Sequence, residues 1–354
     1  DTNPTAADLL ALDAKVSATI DVKAASITGT AADVKKLLAS KGVSLDKDVD
    51  IKIVQDTEVS AADVNAIAKA TGGIVTATVA AGTAAALNKA LGNATKNDAI
   101  TLEVSGKTAT AADLLALDGK TEETVTATEV ETITGTVKDL AKVFAANTAN
   151  TLKLENEVAV SVSGTVKASD LNAVLTAAGG IVTATVAAEK ASVLVGALTG
   201  KNADDALKIT ITDTKVDAEH LLALDGATSI AVNAASVKTI TGDAADVKKA
   251  YEAGADKGIS GLGNEAVDLT DAIDANAELV SAINDFTTGL IKLPTVTFDN
   301  VATTFSLSDL GDLNGITGLA NINADNGQND TISISLKDLL AANDSKDDFT
   351  FKLN

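Results

Sequence analysis

The chain has 354 residues, 46% of them hydrophobic but only 2% aromatic, and a formal net charge of −21, with no Cys, Met or Trp. Lack of Cys excludes disulfides, thiolate metal sites and cysteine nucleophiles. Every basic residue is a Lys, so the acidic balance and the missing guanidinium argue against nucleic acid as a partner. No apolar run reaches the roughly 20 residues that span a bilayer, so no transmembrane segment is expected.

The chain opens on TAADLLALD, Thr5 to Asp13, which returns at Thr110 to Asp118 and, as DAEHLLALD, at Asp217 to Asp225. ITGT keeps the same beat at Ile27 and Ile133, and as ITGD at Ile240, while GGIVTATVAA stands at Gly72 and Gly179. A repeat this long sets the architecture. It divides the chain into long repeats at 1–106 and 107–213, a partial third at 214–270 and divergent C-terminal units at 271–354.

Within each long repeat one plan recurs: a strand, a tight polar turn, a short helix. After the helix at Thr5, strands are expected at 16–22, 49–54, 74–79 and 99–105, then at 123–128, 158–164, from 181, and at 207–212. Helices begin at Thr5, Thr30, Ser60, about 83, Thr110, Thr136, about 167, about 189, Asp217 and Asp243, in steps within the solenoid range. The strands alternate: Ile100, Leu102 and Val104 point one way, Thr101, Glu103 and Ser105 the other. One sheet face is therefore buried and one wet. Strand, crossover helix and strand in series predict a parallel sheet with right-handed crossovers. The expected fold class is an α/β repeat: a right-handed β/α solenoid, its parallel sheet covered by short helices on one face, with atypical C-terminal units.

The helix starts carry a chemical signature. Thr5, Thr30, Ser60, Thr110, Thr136 and Asp243 each precede an Asp by three residues. The first residue is expected to accept from an orphan amide of the first turn, while the Asp reaches back toward the cap amide and faces the helix dipole. His220, the sole histidine, takes the place of Asp8 and Asp113 and reads as a variant of this cap. Tyr251, the sole tyrosine, is expected to pack at a helix surface. Beyond it the repeat loses register; a helix is expected over ANAELVSAIND, a loop over GDLNGITGLANINADNGQND, and strands at TVTFDN, TISIS and DDFTFKLN.

Little here supports catalysis. One histidine and no cysteine leave a triad or zinc site without partners. GISGLGNE, from Gly258, is glycine-rich but lacks a phosphate-binding Lys and a flanking strand. The reading is non-enzymatic. Calcium is the one cofactor the loops suggest, because it takes six to eight oxygen ligands. Candidate donors are Asp46, Asp48 and Asp50; Asp268, Asp271 and Asp274; Asp325 and Asp330; and Asp344 and Asp347. None of these loops fits the EF-hand spacing. The wet face is rich in Thr (Thr76, Thr78, Thr126, Thr128, Thr183, Thr185, Thr210, Thr212), although Asp21, Lys52 and Glu103 interrupt it.

The chain begins on a helix without a strand and finishes on a strand without a helix. FTFKLN placed before DTNPTAADLLALD reads as one whole unit, with Leu353 six residues before Thr5. Such ends belong either to a piece of a longer array or to copies that associate head to tail, a contact that forms filaments when it does not close. The end residues expected to carry it are Thr5, Leu9 and Leu10 with Phe349, Phe351 and Leu353.

ITGTAADVKK, TITGDAADVKKAY and ISGLGNEAVDLTD resemble the repeat regions of giant secreted bacterial surface proteins: the cell-surface motility proteins of marine cyanobacteria, S-layer-like proteins and adhesins. The tail TISISLKDLLAANDSKDDFTFKLN is similar to the end region of type I-secreted adhesins. This resemblance implies an extracellular or cell-surface location, secretion without disulfides and calcium dependence. The function expected is structural: a filament, S-layer or adhesin stalk that self-assembles by stacking of its ends, with copies of itself or neighbouring repeats as partners. The alternative is an adhesin module that binds a glycan, ice or another surface through the Thr/Ser face.

Overall fold

A computed structural model describes residues 3–54, 57–270 and 277–293, and the backbone of short strands at 296–297, 304–306, 316–317, 322–323 and 331–333. The chain forms two compact parts, one of residues 1–164 and 176–182, the other of 165–175 and 183–354. Its helices are α1 (Ala6–Asp13), α2 (Ala31–Ala39), α3 (Ala61–Ala70), α4 (Ala84–Ala90), α5 (Ala111–Asp118), α6 (Val137–Thr148), α7 (Ala168–Ala177), α8 (Ala191–Ala197), α9 (Ala218–Asp225), α10 (Ala244–Ala255) and α11 (Ala277–Asn284).

Every strand pairing described in the two parts is parallel. In the first part, strands 26–29, 50–53, 75–78 and 99–101 form one ladder, and 108–110, 132–135 and 159–162 another. In the second part, 183–185 pairs with 206–208, and strands 215–217, 239–242, 266–269, 291–292 and 316–317 form a ladder. Opposed residues stand about two dozen positions apart in sequence, as in Ser26 with Asp50, Thr76 with Ala99 and Thr132 with Ala159. We call each such step a rung. Within each part, consecutive helices lie side by side, α1 through α6 in the first and α8 through α11 in the second. The fold is thus α/β, with parallel sheets and short helices, as an α/β repeat requires, and among the described residues no sheet closes on itself.

The alternation expected from sequence is present. Ile27, Ile51, Val75, Ala77 and Ile100 are buried with Val34, Leu37, Val64, Ile67 and Leu87 of the helices, while Lys52, Thr78 and Thr101 of the same strands are exposed. Ala, Val, Ile and Leu supply nearly all of this core.

Several expectations need correction. The stretch 16–22 is a strand only over Ile20–Val22, and the strand that leads into α2 is the marker ITG itself, Ser26–Gly29. Such rungs carry two strands: 20–22 pairs with 43–45, 125–127 with 152–154, and 232–233 with 259–260, as side ladders to the main ones. The chain does not start on a bare helix, for Thr5 bridges Thr28 in parallel and the Thr28 amide donates to the Pro4 carbonyl at 3.2 Å. Nor is register lost after Tyr251. Ile291 faces Ile316, Val296 faces Ile322 and Thr304 faces Thr331, each again one rung apart, so the stretch expected to be a loop holds two strands.

The two main sequence markers turn out to be contact partners. A Cβ on Gly29 would stand 2.8 Å from the Cβ of Ala6, and one on Gly135 would stand 2.8 Å from that of Ala111. The Gly of ITG thus lets its rung close onto the first helical turn of the rung before it, inside the distance any side chain would permit. That contact explains why TAAD and ITG keep one beat.

Candidate functional site

For a repeat protein the places to examine are the joints between rungs, the rung ends and the solvated face. The joints are polar and buried. Thr121 is fully buried; its hydroxyl meets the carbonyls of Asp98 (3.1 Å) and Ile100 (2.7 Å) and accepts from the amides of Ile100 (2.9 Å) and Glu123 (3.1 Å). Thr228 repeats this against Asp205 and Leu207, Thr71 donates to the Val49 carbonyl and Thr287 to that of Glu265. Asp98, 4% exposed, completes the stitch: its carboxylate accepts from Val75 N one rung back and from Thr95 N in its own turn, 2.8 and 2.7 Å. Three successive rungs are thereby tied through one carboxylate and one hydroxyl. Buried groups so fully satisfied fix register, since a slipped rung would strand them. The sequence alone does not single out these threonines; the only signal is a Thr a few residues past the apolar run of a helix.

The caps form where expected, with one change. Thr5, Thr30, Ser60, Thr110 and Thr136 accept from the amide three residues on. Their own hydroxyls donate to the Asp carboxylate at 2.6–3.0 Å, so the Asp reaches the cap hydroxyl. These carboxylates also join adjacent helices. Lys35 of α2 donates to Asp63 of α3, and Asn88 of α4 to Asp113 of α5. The Lys35 hydrogen bond, then that from Ser60, holds the Asp63 carboxyl below its ordinary value. At α9 the cap shifts: Asp217 accepts from Glu219 N, and His220 stands half-buried where Asp8 and Asp113 stand in their repeats.

Of the candidate cation ligands, Asp46 accepts from the Asp48 amide, Asp48 pairs with Lys47 at 3.1 Å and Asp50 accepts from Ile74 N at 2.8 Å. Asp268 lies on the sheet face between Lys215 (2.7 Å) and Lys292 (3.6 Å). The Lys215 hydrogen bond is the main cause that holds its carboxyl below the ordinary value. Among the described residues no three His, Asp or Glu side chains come together as a metal site. Asp271, Asp274, Asp325, Asp330, Asp344 and Asp347 lie outside the described residues, as do Phe349, Phe351 and Leu353. Of the N-terminal assembly residues, Thr5 caps α1, Leu9 is buried and Leu10 is half-buried.

The solvated face is mixed. Thr78 opposes Thr101, Thr108 opposes Thr132 and Thr110 opposes Thr134, but Lys52 separates Thr28 from Thr76. In the second part the face carries Lys215, Asp268 and Lys292. Among the described residues no helix is long and apolar enough to cross a membrane. No family model matches the chain, and no curated protein or solved structure proved similar to it.

Proposed function

We propose that this chain is a structural protein of the cell surface or extracellular space: a β/α solenoid whose rungs stack within one chain and continue from copy to copy, or into neighbouring repeats, as a filament, S-layer or adhesin stalk. The recurring parallel step of one rung, from Ile20 with Val43 to Thr304 with Thr331, carries this reading. Another rung of the same kind is the natural complement to the edge of such a parallel ladder. The composition agrees: a core of small aliphatic residues with joints stitched by buried threonines. Acidic surfaces would limit random association, and calcium bridging between exposed Asp side chains would favour ordered contact.

The adhesin alternative, with the Thr/Ser face as a binding surface, has less behind it, because Lys52 and the Lys215–Asp268–Lys292 group break that face into short patches.

Electron microscopy of the native protein, with and without a calcium chelator, tests the reading. Filaments or lattices with a repeat of one chain are expected, and their loss on chelation would add calcium as the bridge. Dispersed monomers in both conditions would overturn it in favour of the binding module.

A further inference from the structure

The first rung exposes a face that the other two long repeats bury. The repeated helix sets the correspondence: Leu12, Val16 and Ile20 stand where the second repeat has Leu117, Thr121 and Val125 and the third has Leu224, Thr228 and Val232. The backbones agree, for the amides of Lys15, Lys120 and Ala227 each donate to the carbonyl three residues back at 2.9–3.0 Å. In the second and third repeats all three positions are buried, where α5 lies against α4 of the preceding rung and α9 against α8. In the first, Leu12 is 45% exposed, Val16 is 40% exposed and Ile20 is half-buried. One apolar residue in the open is ordinary, but three that are sealed in both sister repeats mark a face shaped for a cover.

The backbone presents the same edge. Thr126 exchanges two bonds with the preceding rung, donating to the Leu102 carbonyl (3.0 Å) and accepting from the Val104 amide (2.7 Å). Asn233 does the same with Ile209 (2.9 Å) and Ile211 (3.0 Å). Asp21 holds their place, and among the described residues its strand, 20–22, pairs only with 43–45 of the following rung. An edge strand with an apolar flank is a template for one more strand.

The strands that cover this edge elsewhere share a pattern. Residues 98–104 read DAITLEV and 205–211 read DALKITI, an Asp with apolar residues two, four and six places on. Residues 347–353, which lie outside the described residues, read DDFTFKL and carry the same pattern. By it Lys352 corresponds to Glu103 and Thr210, which bridge Thr126 and Asn233, so its counterpart on the first rung is Asp21. Those two are oppositely charged, as neither internal pair is. Phe349 and Phe351 take the places of Ile100 and Leu102, and they are two of only six Phe in the chain. Aromatic residues concentrate where chains meet. Val16, in place of the stitching Thr121, gives the first rung an apolar contact to match.

We propose, on the stacking reading above, that the edge formed by Leu12, Val16 and strand 20–22 is the docking surface for residues 347–353 of a second copy, added as a parallel strand with Lys352 opposite Asp21. The contact thus lies at Leu12 and Val16 and not at Leu9, which is buried. It joins unlike surfaces, so its repetition builds rows or rings of copies.

The chain has no Cys, so introduced thiols report on this contact alone. Full-length Asp21→Cys and Lys352→Cys proteins, mixed under mild oxidation, should form a disulfide-linked pair roughly tenfold faster than either does with Gly92→Cys, because paired strands lie about 4.8 Å apart. In sedimentation, Asp21→Lys and Lys352→Asp should each raise the concentration of half-assembly about fivefold, and both changes in one chain should restore it. Leu12→Lys, at an exposed position, should dissolve the assembly and leave the circular dichroism unchanged. A parent that assembles while trapping stays at background, while the charge exchange fails to rescue, or while Leu12→Lys has no effect overturns this joint and leaves stacking to other surfaces. Faster trapping between two Asp21→Cys copies would mean that the edge pairs with its own like, and overturns it too. A parent that stays monomeric and traps nothing overturns both the joint and the stacking reading.

Discussion

The buried joints between rungs, set in the turns that lead into the strands, and the solvated sheet face follow different rules. At the joints the same residue returns to the same place: Thr71, Thr121, Thr228 and Thr287 each donate to the preceding rung, and Asp98 and Asp205 each turn back into their own loops. On the outer face the register-matched positions change freely, from Thr28 to Lys52 to Thr76. The contrast says where register information resides. A hydroxyl sealed from water must find its partners or cost its full desolvation, whereas an exposed Thr or Lys exchanges one water for another. Rung order is written inside, and the outer surface is left to vary with its surroundings.

Substitutions can break this contrast in graded steps. Thr121→Val keeps shape but strands the Ile100 and Glu123 amides; about 3 kcal/mol should be lost, seen as a lower urea midpoint. Gly135→Ala places a methyl against Ala111 and should cost about 2 kcal/mol, whereas the same change at exposed Gly92, where no atom lies within 4 Å, should cost far less. Thr110→Ala removes a cap and should cost about 1 kcal/mol. Asp268→Asn releases Lys215 and Lys292 on the wet face and should cost less than about 1 kcal/mol, less again in high salt. Thr76→Val should fall within roughly 0.5 kcal/mol of the parent. Should the last two exceed the first two, the division between inner and outer faces is wrong.

The pH dependence has a defined sign. Asp63 and Asp268 have carboxyls lowered from 3.8 by their lysine partners. In the unfolded chain they bind protons first, so their contribution is complete above 3.8 and is lost as pH falls through the lower folded values. Asp225 runs the other way, because burial raises its carboxyl and acid relieves it. A urea midpoint followed from pH 6 downward should therefore hold through pH 5 and then drop, and the drop should shrink in Asp63→Asn.

Much of the architecture was legible because it rests on local chemistry. Thr5–Asp8 and its kin announce helix starts through a cap that needs no distant partner, and Ile100–Leu102–Val104 announce a half-buried strand by spacing alone. What was missed is non-local or too short to have a period. Val43–Leu45 and Leu152–Leu154 span three residues each, so alternation cannot distinguish them from loop. Thr121 reads as polar until the neighbouring rung closes over it. The strands at 316–317 and 322–323 exist through partners one rung back, Ile291 and Val296, and carry almost no propensity signal. Of the candidate site, the Asp-rich loops were easy to see, but Asp50 and Asp268 are engaged by Ile74 N and by two lysines. A cavity at Tyr251, which is buried and not at a helix surface, was invisible, since Gly254, Leu262 and Phe286 come to it from three separate segments.

The contact of Ala6 with Gly29, and of Ala111 with Gly135, bears on how such a chain can change length. The same joint returns once per long repeat, with a Cβ on Gly242 3.3 Å from that of Ala218. An insertion or deletion of a whole long repeat, as from Ile27 to Ile133, keeps each of these alanines opposite a glycine and shifts the ladder by whole strand spacings of about 4.8 Å each. A single rung added or lost would instead set such an alanine against a side chain, since Ile53 holds in the next rung the place of Gly29. Duplication and loss in this chain are thereby quantised, and growth by copying is the change its interior tolerates best.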